Sequence, residues 1–225
     1  MAKQAAYDEI ADWYETEFLE EQRGTDPIGV TRALKEILGP ASGYGICLEI
    51  GCGTGEYAAT DRALGWTSVG VDISVGMLRH ASGRLPVAQG DAEHLPIRSA
   101  SVDAVTTVMT HTDMPGYPAV LAEAFRVLRP GGLLAHIGVH PCFCGGFADR
   151  ADPQAVVIRP GYLDGHWTKA SWTKDGVRDK VGAQHWPLPE LLNMFVAAGF
   201  AVERFVEGGE PTPMVLGVRA RRPVG

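Results

Sequence analysis

Residues 46–56 constrain this chain more than any other stretch: Ile46-Cys47-Leu48-Glu49-Ile50-Gly51-Cys52-Gly53-Thr54-Gly55-Glu56. An apolar run suited to a strand enters three glycines at alternate positions. Glycine lacks a Cβ, so the backbone turns tightly there and lies close against a ligand. Strand, glycine-rich turn and helix make the nucleotide-binding corner of an open α/β sheet. Asp72 ends the next hydrophobic run, Ser68-Val69-Gly70-Val71, 21 residues beyond Gly51. A carboxylate at that spacing suits a ribose diol.

The loop also separates ligand classes. A dinucleotide site wants G-x-G-x-x-G, the third glycine admitting a pyrophosphate at a helix N-terminus. Here that place is held by Glu56, and Glu49 stands at the strand end. Carboxylates there repel a pyrophosphate and attract a cation. The loop therefore favours a nucleoside without phosphates, such as S-adenosylmethionine, over a dinucleotide or a merely structural turn.

Composition narrows the class. A chain of 225 residues with 45% hydrophobic content forms one domain, with room for a small lid. The net charge is −7, and residues 1–26 carry eight acids against Lys3 and Arg23. No basic stripe appears, which argues against nonspecific nucleic-acid binding. No apolar run is long enough for a membrane span, and no signal-peptide pattern opens the chain. Four cysteines do not make a disulfide scaffold, so the expected location is cytoplasmic.

Periodicity then orders the chain. Residues 3–22 read as a helix with Tyr7, Ile10, Tyr14 and Phe18 on its inner face. Asp26-Pro27 reads as the start of a second helix ending at Leu38. Strands are expected over 46–50, 67–71, 86–89, 102–109 and 133–139, with helices near 56–64, after Ser74 and over 118–128. A final helix from Pro189 to Ala198 precedes strands 200–206 and 213–220 as an antiparallel edge pair. The fold class is α/β, a seven-stranded, mostly parallel Rossmann-like sheet with helices on both faces and an antiparallel last strand. Right-handed crossovers bring the strand C-termini, and the ligand, to one edge. The expected organisation is a helical cap over 1–40, a cofactor-binding core over 41–140 and an insertion or lid over 141–186. A C-terminal helix with edge strands of the same domain follows over 187–225.

Four segments resemble the class I S-adenosylmethionine-dependent methyltransferases, in that family's order and spacing. They are Leu48-Glu49-Ile50-Gly51-Cys52-Gly53-Thr54-Gly55, Val71-Asp72-Ile73-Ser74, Gly90-Asp91-Ala92-Glu93-His94-Leu95-Pro96 and Arg126-Val127-Leu128-Arg129-Pro130-Gly131-Gly132. Trp186-Pro187-Leu188-Pro189 through Ala198-Gly199-Phe200 resembles the small-molecule branch. The resemblance implies S-adenosyl-L-methionine as cofactor. The backbone of Gly51, Cys52 and Gly53 would approach its methionyl part, and Glu49 would face its ammonium. Asp72 would accept the ribose hydroxyls, unless it serves only to cap the next helix. Ile73 would pack on the adenine with help from Met77, Asp91 would accept from the exocyclic amine, and the Ala92 N–H would donate to a ring nitrogen. Tyr14 is the candidate to cover the cofactor from the N-terminal helix.

Methyl transfer from a sulfonium needs no metal, and needs a base only for a protonated nucleophile. His111 after the fourth strand, His140 after the fifth and His185 before the last helix are the catalytic candidates, ahead of His94 and His166. His140-x-Cys142-x-Cys144 lacks the second ligand pair of a structural zinc site. Phe143, Phe147, Tyr162, Trp167, Trp172 and Trp186 line a pocket or form a small core of the insertion. The expected activity is O- or N-methylation of a small hydrophobic or aromatic acceptor. The alternatives are carbon methylation and a non-catalytic interaction protein on the same scaffold.

Overall fold

The computed structural model describes residues 5–152, 154–170 and 176–225. The N-terminal stretch is not the single helix expected over 3–22, whose first two residues lie outside that description. A 3-10 turn over Ala6–Glu9 leads into α1 (Ala11–Trp13), which widens into a π turn over Tyr14–Phe18. The inward stripe is also different: Ala11, Glu15 and Leu19 are buried, while Tyr7, Tyr14 and Phe18 pack on each other. The cause is Glu15. Its Oε1 accepts from Arg23 at 2.6 Å, and Arg84 pairs with the same carboxylate. Two guanidiniums pull a carboxylate inward where the sequence pattern places aromatics.

α2 (Val30–Leu38) starts three residues after Pro27. Asp26 still caps it, from across an intervening turn. Its carboxylate oxygens accept the N–H groups of Thr31 and Arg32 at 2.9 and 3.0 Å.

The alternation then runs as the periodicity predicts: β1 (Gly45–Ile50), α3 (Ala58–Ala63), β2 (Trp66–Asp72), α4 (Val75–Ala81), β3 (Val87–Gln89), β4 (Val102–Val108), α5 (Tyr117–Val127) and β5 (Leu128–Val139). Ser74 caps α4, its hydroxyl accepting from Met77 N–H at 3.1 Å. β5 begins five residues ahead of the expected Leu133. The Pro130-Gly131-Gly132 turn is absorbed as a register shift opposite Val102 and Ala104.

The segment after β5 is built from small pieces. β6 (Ala148–Asp149) pairs with β7 (Val157–Ile158), and β8 (Trp167–Thr168) pairs across α6 (Val177–Val181) with β9 (Ala183–Gln184). α7 (Leu188–Ala197), β10 (Ala201–Gly208) and β11 (Val215–Arg221) close the chain.

The main sheet has seven strands in the order β10-β11-β5-β4-β1-β2-β3. β11 runs antiparallel to both neighbours; the other pairings are parallel. Both faces are covered, so buried residues do not alternate with polar ones. Leu48, Val105 and Leu134 point to α5 and α7, with Tyr117, Leu121, Leu191 and Phe195. Cys47, Ala104 and Ala135 point to α2, with Leu34, Ile37 and Leu38. This double packing holds the strand C-termini still at one edge. Among the described residues, no helix is long and apolar enough to cross a membrane.

Candidate active site

A cavity of about 370 Å³ opens at the C-terminal edge of β1, β2 and β4. Its walls include Tyr14, Glu49, Gly51, Cys52, Gly53, Asp72, Ile73, Met77, Asp91 and Ala92. Every residue proposed from sequence for the cofactor therefore meets in one space.

The turn explains why glycine stands where it does. Gly51 and Gly53 have φ of +67° and +52°. A Cβ on Gly51 would lie 2.6 Å from Thr110 Cγ2. Asp72 ties the turn to the next helix: Oδ2 accepts Gly53 N–H at 2.8 Å and Oδ1 accepts Ser74 N–H at 2.9 Å. Each oxygen keeps a further lone pair for a ligand. Burial raises the Asp72 carboxyl pKa, outweighing these bonds. Asp91 accepts Glu93 N–H at 3.0 Å and shapes the neighbouring turn.

Glu49 is nearly sealed at the cavity floor and faces the buried carboxyl of Asp61. Burial raises both pKa values, and the Asp61 charge adds to the rise at Glu49. Among the described residues, Glu49 Oε1 has no hydrogen-bond partner. Nor has the buried hydroxyl of Thr110 on the cavity wall, whereas Thr54 faces the Glu15 carboxylate and Thr106 the Cys47 thiol. These two oxygens beside one cavity are unspent hydrogen-bonding capacity, which a polar ligand would satisfy. With the glycine turn and Asp72, they fit a nucleoside carrying an amino-acid tail.

The three histidines lie elsewhere; none lines the cavity. His111 is buried edge-on against His136, with ring centroids 5.0 Å apart, and burial followed by His136 pushes its pKa down. His140 pairs through Nε2 with Glu207 at 2.8 Å, while Nδ1 accepts Cys142 N–H at 3.2 Å. Burial outweighs Glu207 and lowers its pKa. His185 donates from Nε2 to the Tyr162 carbonyl at 2.6 Å, and burial lowers its pKa too.

The insertion splits its aromatics between the two expected uses. Phe147, Tyr162 and His185 form a small core, with centroids 4.7–5.6 Å apart. Trp167 lines the cavity, with Val181 from α6. Trp172 lies outside the described residues. Cys142 meets the Tyr162 hydroxyl at 3.6 Å, and Cys144 the Met214 carbonyl at 3.7 Å. His140, Cys142 and Cys144 do not form a metal-binding cluster among the described residues.

Sequence reasoning missed three parts of the site. Tyr7 and Asp113 line the cavity and share a hydrogen bond of 3.1 Å. Met109 and Met114 add apolar wall beside them. Glu15 anchors the N-terminal segment to the cofactor turn through Arg84, whose Nη1 also donates to the Thr54 carbonyl at 2.9 Å. The available signal for Asp113 was its position at the ligand edge, in the same short turn as His111. Only the 3-10 geometry of His111–Asp113 decides which of the two reaches the cavity.

Comparison with known proteins agrees with this geometry. A methyltransferase-domain family model matches residues 48–136. The structure of an S-adenosylmethionine-dependent methyltransferase from Mesorhizobium loti superposes with a TM-score of 0.71 at 24% identity, covering 85% of this chain and 96% of that one. The chain has the class I S-adenosylmethionine-dependent methyltransferase fold and carries a methyltransferase domain over residues 48–136. Among curated relatives, the chain is 29% identical over 188 residues to the demethylmenaquinone methyltransferase of Oceanobacillus iheyensis, covering 77% of each chain. It is 31% identical over 149 residues to the nocamycin O-methyltransferase of Saccharothrix syringae, covering 56% of this chain and 53% of that one.

Proposed function

We propose that this methyltransferase acts on an O or N nucleophile of a small, apolar or aromatic metabolite. One observation carries the reading: beyond the cofactor residues, the same cavity is walled by Met109, Met114, Trp167 and Val181. Apolar side chains from three separate parts of the chain supply contact area for a hydrophobic acceptor, with Tyr7 and Asp113 as polar groups beside them.

When bound, S-adenosylmethionine supplies a methyl group on a sulfonium, open to in-line displacement. The chain's own task is positioning. Asp72 and the Gly51–Gly55 turn hold the cofactor end, and Glu49 offers an unpartnered carboxyl oxygen to its ammonium. Trp167 and Val181 press the acceptor from the insertion side. Bringing nucleophile and methyl to near-attack distance accounts for much of the rate.

A second reading is carbon methylation of a small molecule. The same cavity serves it, and the demethylmenaquinone relative spans more of this chain than the nocamycin relative does.

Titration calorimetry with S-adenosylhomocysteine tests the cofactor half, with NAD as control and Asp72→Ala alongside. Binding that is lost in Asp72→Ala, with no heat from NAD, is the expected result. Mass spectrometry of phenols, aryl amines and quinols incubated with S-adenosylmethionine tests the acceptor half. Failure to bind S-adenosylhomocysteine refutes the reading.

A further inference from the structure

We propose that Asp113 is the catalytic base of the acceptor site, oriented by Tyr7, and that the acceptor is a neutral aryl or enol hydroxyl rather than a carboxylate. The proposal rests on the methyltransferase reading above and names the group that takes the proton.

The acidic side chains of the cavity divide by what already holds them. Asp72 is tied to two backbone N–H groups, Asp91 to one, and Glu49 faces Asp61. Asp113 differs from Asp91 in that its one bond comes from a side chain, and in its place after β4 rather than after β3. Among the described residues its carboxylate takes one hydrogen bond, on Oδ2 from the Tyr7 hydroxyl. Oδ1 takes none. It follows β4 at the ligand edge, in the same cavity as the Gly51 turn, and its neighbour Met114 approaches Gly51. A carboxylate with a free oxygen, beside the turn that holds the methionyl end, is placed to receive a proton from the nucleophile.

Three elements face Asp113. The N-terminal segment brings Tyr7 and Tyr14, the end of β2 brings Asp72, and the start of α6 brings Arg178. Tyr7 is not itself the base: burial, then the Asp113 charge, raises its phenol well above the ordinary value, so it stays a donor. Burial pushes Asp113 up to about 7, against the Tyr7 hydrogen bond and Arg178, which lower it, while Asp72 adds to the rise. A base with that affinity works best near neutral pH. The neighbouring histidines do not compete, since His111 and His136 are buried away from the cavity with depressed pKa values.

The step balances. The acceptor oxygen forms its bond to the methyl carbon as the sulfur–carbon bond breaks and its electron pair passes to sulfur. The hydroxyl proton goes to Asp113 Oδ1, and the O–H electron pair stays on oxygen. The products are a methyl ether, a neutral thioether and a protonated Asp113, which returns its proton to water. A carboxylate acceptor arrives already ionised and gives a base nothing to do.

The test uses 2-naphthol and 2-naphthoate, one ring system with two kinds of oxygen. The wild-type protein should methylate 2-naphthol in preference, with kcat rising through pH 7. Asp113→Asn should lower kcat by about 100-fold or more, abolish that pH dependence and leave S-adenosylhomocysteine affinity unchanged. Tyr7→Phe removes a bond that lowers the Asp113 pKa, so its pH profile should shift upward, which a merely structural tyrosine would not cause. Infrared difference spectra of wild type against Asp113→Asn, both loaded with S-adenosylhomocysteine, should show one carboxyl titrating near neutrality. A carboxylate unchanged from pH 5 to 9 overturns the base, as does Asp113→Asn within threefold of wild-type kcat. Preference for 2-naphthoate overturns the hydroxyl acceptor, as does absence of product from both rings in a protein that binds S-adenosylhomocysteine. Failure to bind S-adenosylhomocysteine instead strikes the underlying reading.

Discussion

Glu15→Gln removes one charge from a cluster of Glu15, Arg23 and Arg84 with Glu20 and Glu56, and leaves the shape of the side chain nearly intact. Burial alone would raise the Glu15 carboxyl, but hydrogen bonds from Arg84 and Arg23 outweigh it and hold the pKa at about 2, against an ordinary 4.5. That difference corresponds to roughly 3 kcal/mol in favour of the charged form. The Glu15 side chain is 10% exposed, but Arg23 and Arg84 are 30% and 35% exposed, so water screens part of it. The expected loss is about 2 kcal/mol, read as a melting point lower by about 4–8 °C. The native pKa is depressed, so the contribution is complete above pH 4.5 and fades as the pH falls toward 2. Urea unfolding of both proteins at pH 7 and pH 3 is the assay, and the gap at pH 3 should be about half that at pH 7. Equal midpoints at pH 7 would refute the reasoning. So would a gap of the same size at both pH values, since a charge-independent packing defect does not titrate.

Gly51→Ala forces a residue with a Cβ into φ +67° and against Thr110; S-adenosylhomocysteine affinity should fall at least about tenfold by calorimetry. Tyr117→Phe strips a buried hydroxyl from His136 Nδ1 at 2.8 Å and Thr107 Oγ1 at 3.1 Å; urea unfolding should show a loss of about 1–3 kcal/mol. Glu49→Gln should become more stable relative to wild type, without cofactor, as the pH rises. The native Glu49 pKa is raised, so wild-type stability is complete below 4.5 and declines toward the higher native value; melting curves from pH 5 to 8 follow it.

The cofactor half of the cleft was readable because it is local. Gly51, Asp72 and Asp91 each sit at the end of a strand whose apolar run is visible, and parallel topology delivers strand ends to one edge. The acceptor half is not local. Tyr7, Asp113 and Val181 meet only after the sheet, the N-terminal segment and the insertion have packed, and no spacing in the sequence encodes that meeting. The histidines attracted attention because their unperturbed pKa suits proton transfer. Tertiary burial lowers the pKa of all three, and raises that of an aspartate to the same range. Helix 3–22 misled for a related reason. Its aromatic spacing fits a stripe, but the charge of Glu15 decides which side faces in.

The N-terminal segment touches both halves of the cavity at once. Asp8 accepts from the Ser74 hydroxyl at 2.6 Å and the Gly76 N–H at 2.8 Å, one residue beyond the Tyr7 that holds Asp113. Ala5, Ala6, Tyr7 and Tyr14 roof the space between. Lifting this segment would break the Asp8–Ser74 and Tyr7–Asp113 bonds together, along with the Glu15–Arg84 pair. Solvent viscosity should slow turnover wherever such an opening, and not alkylation, is the slower step.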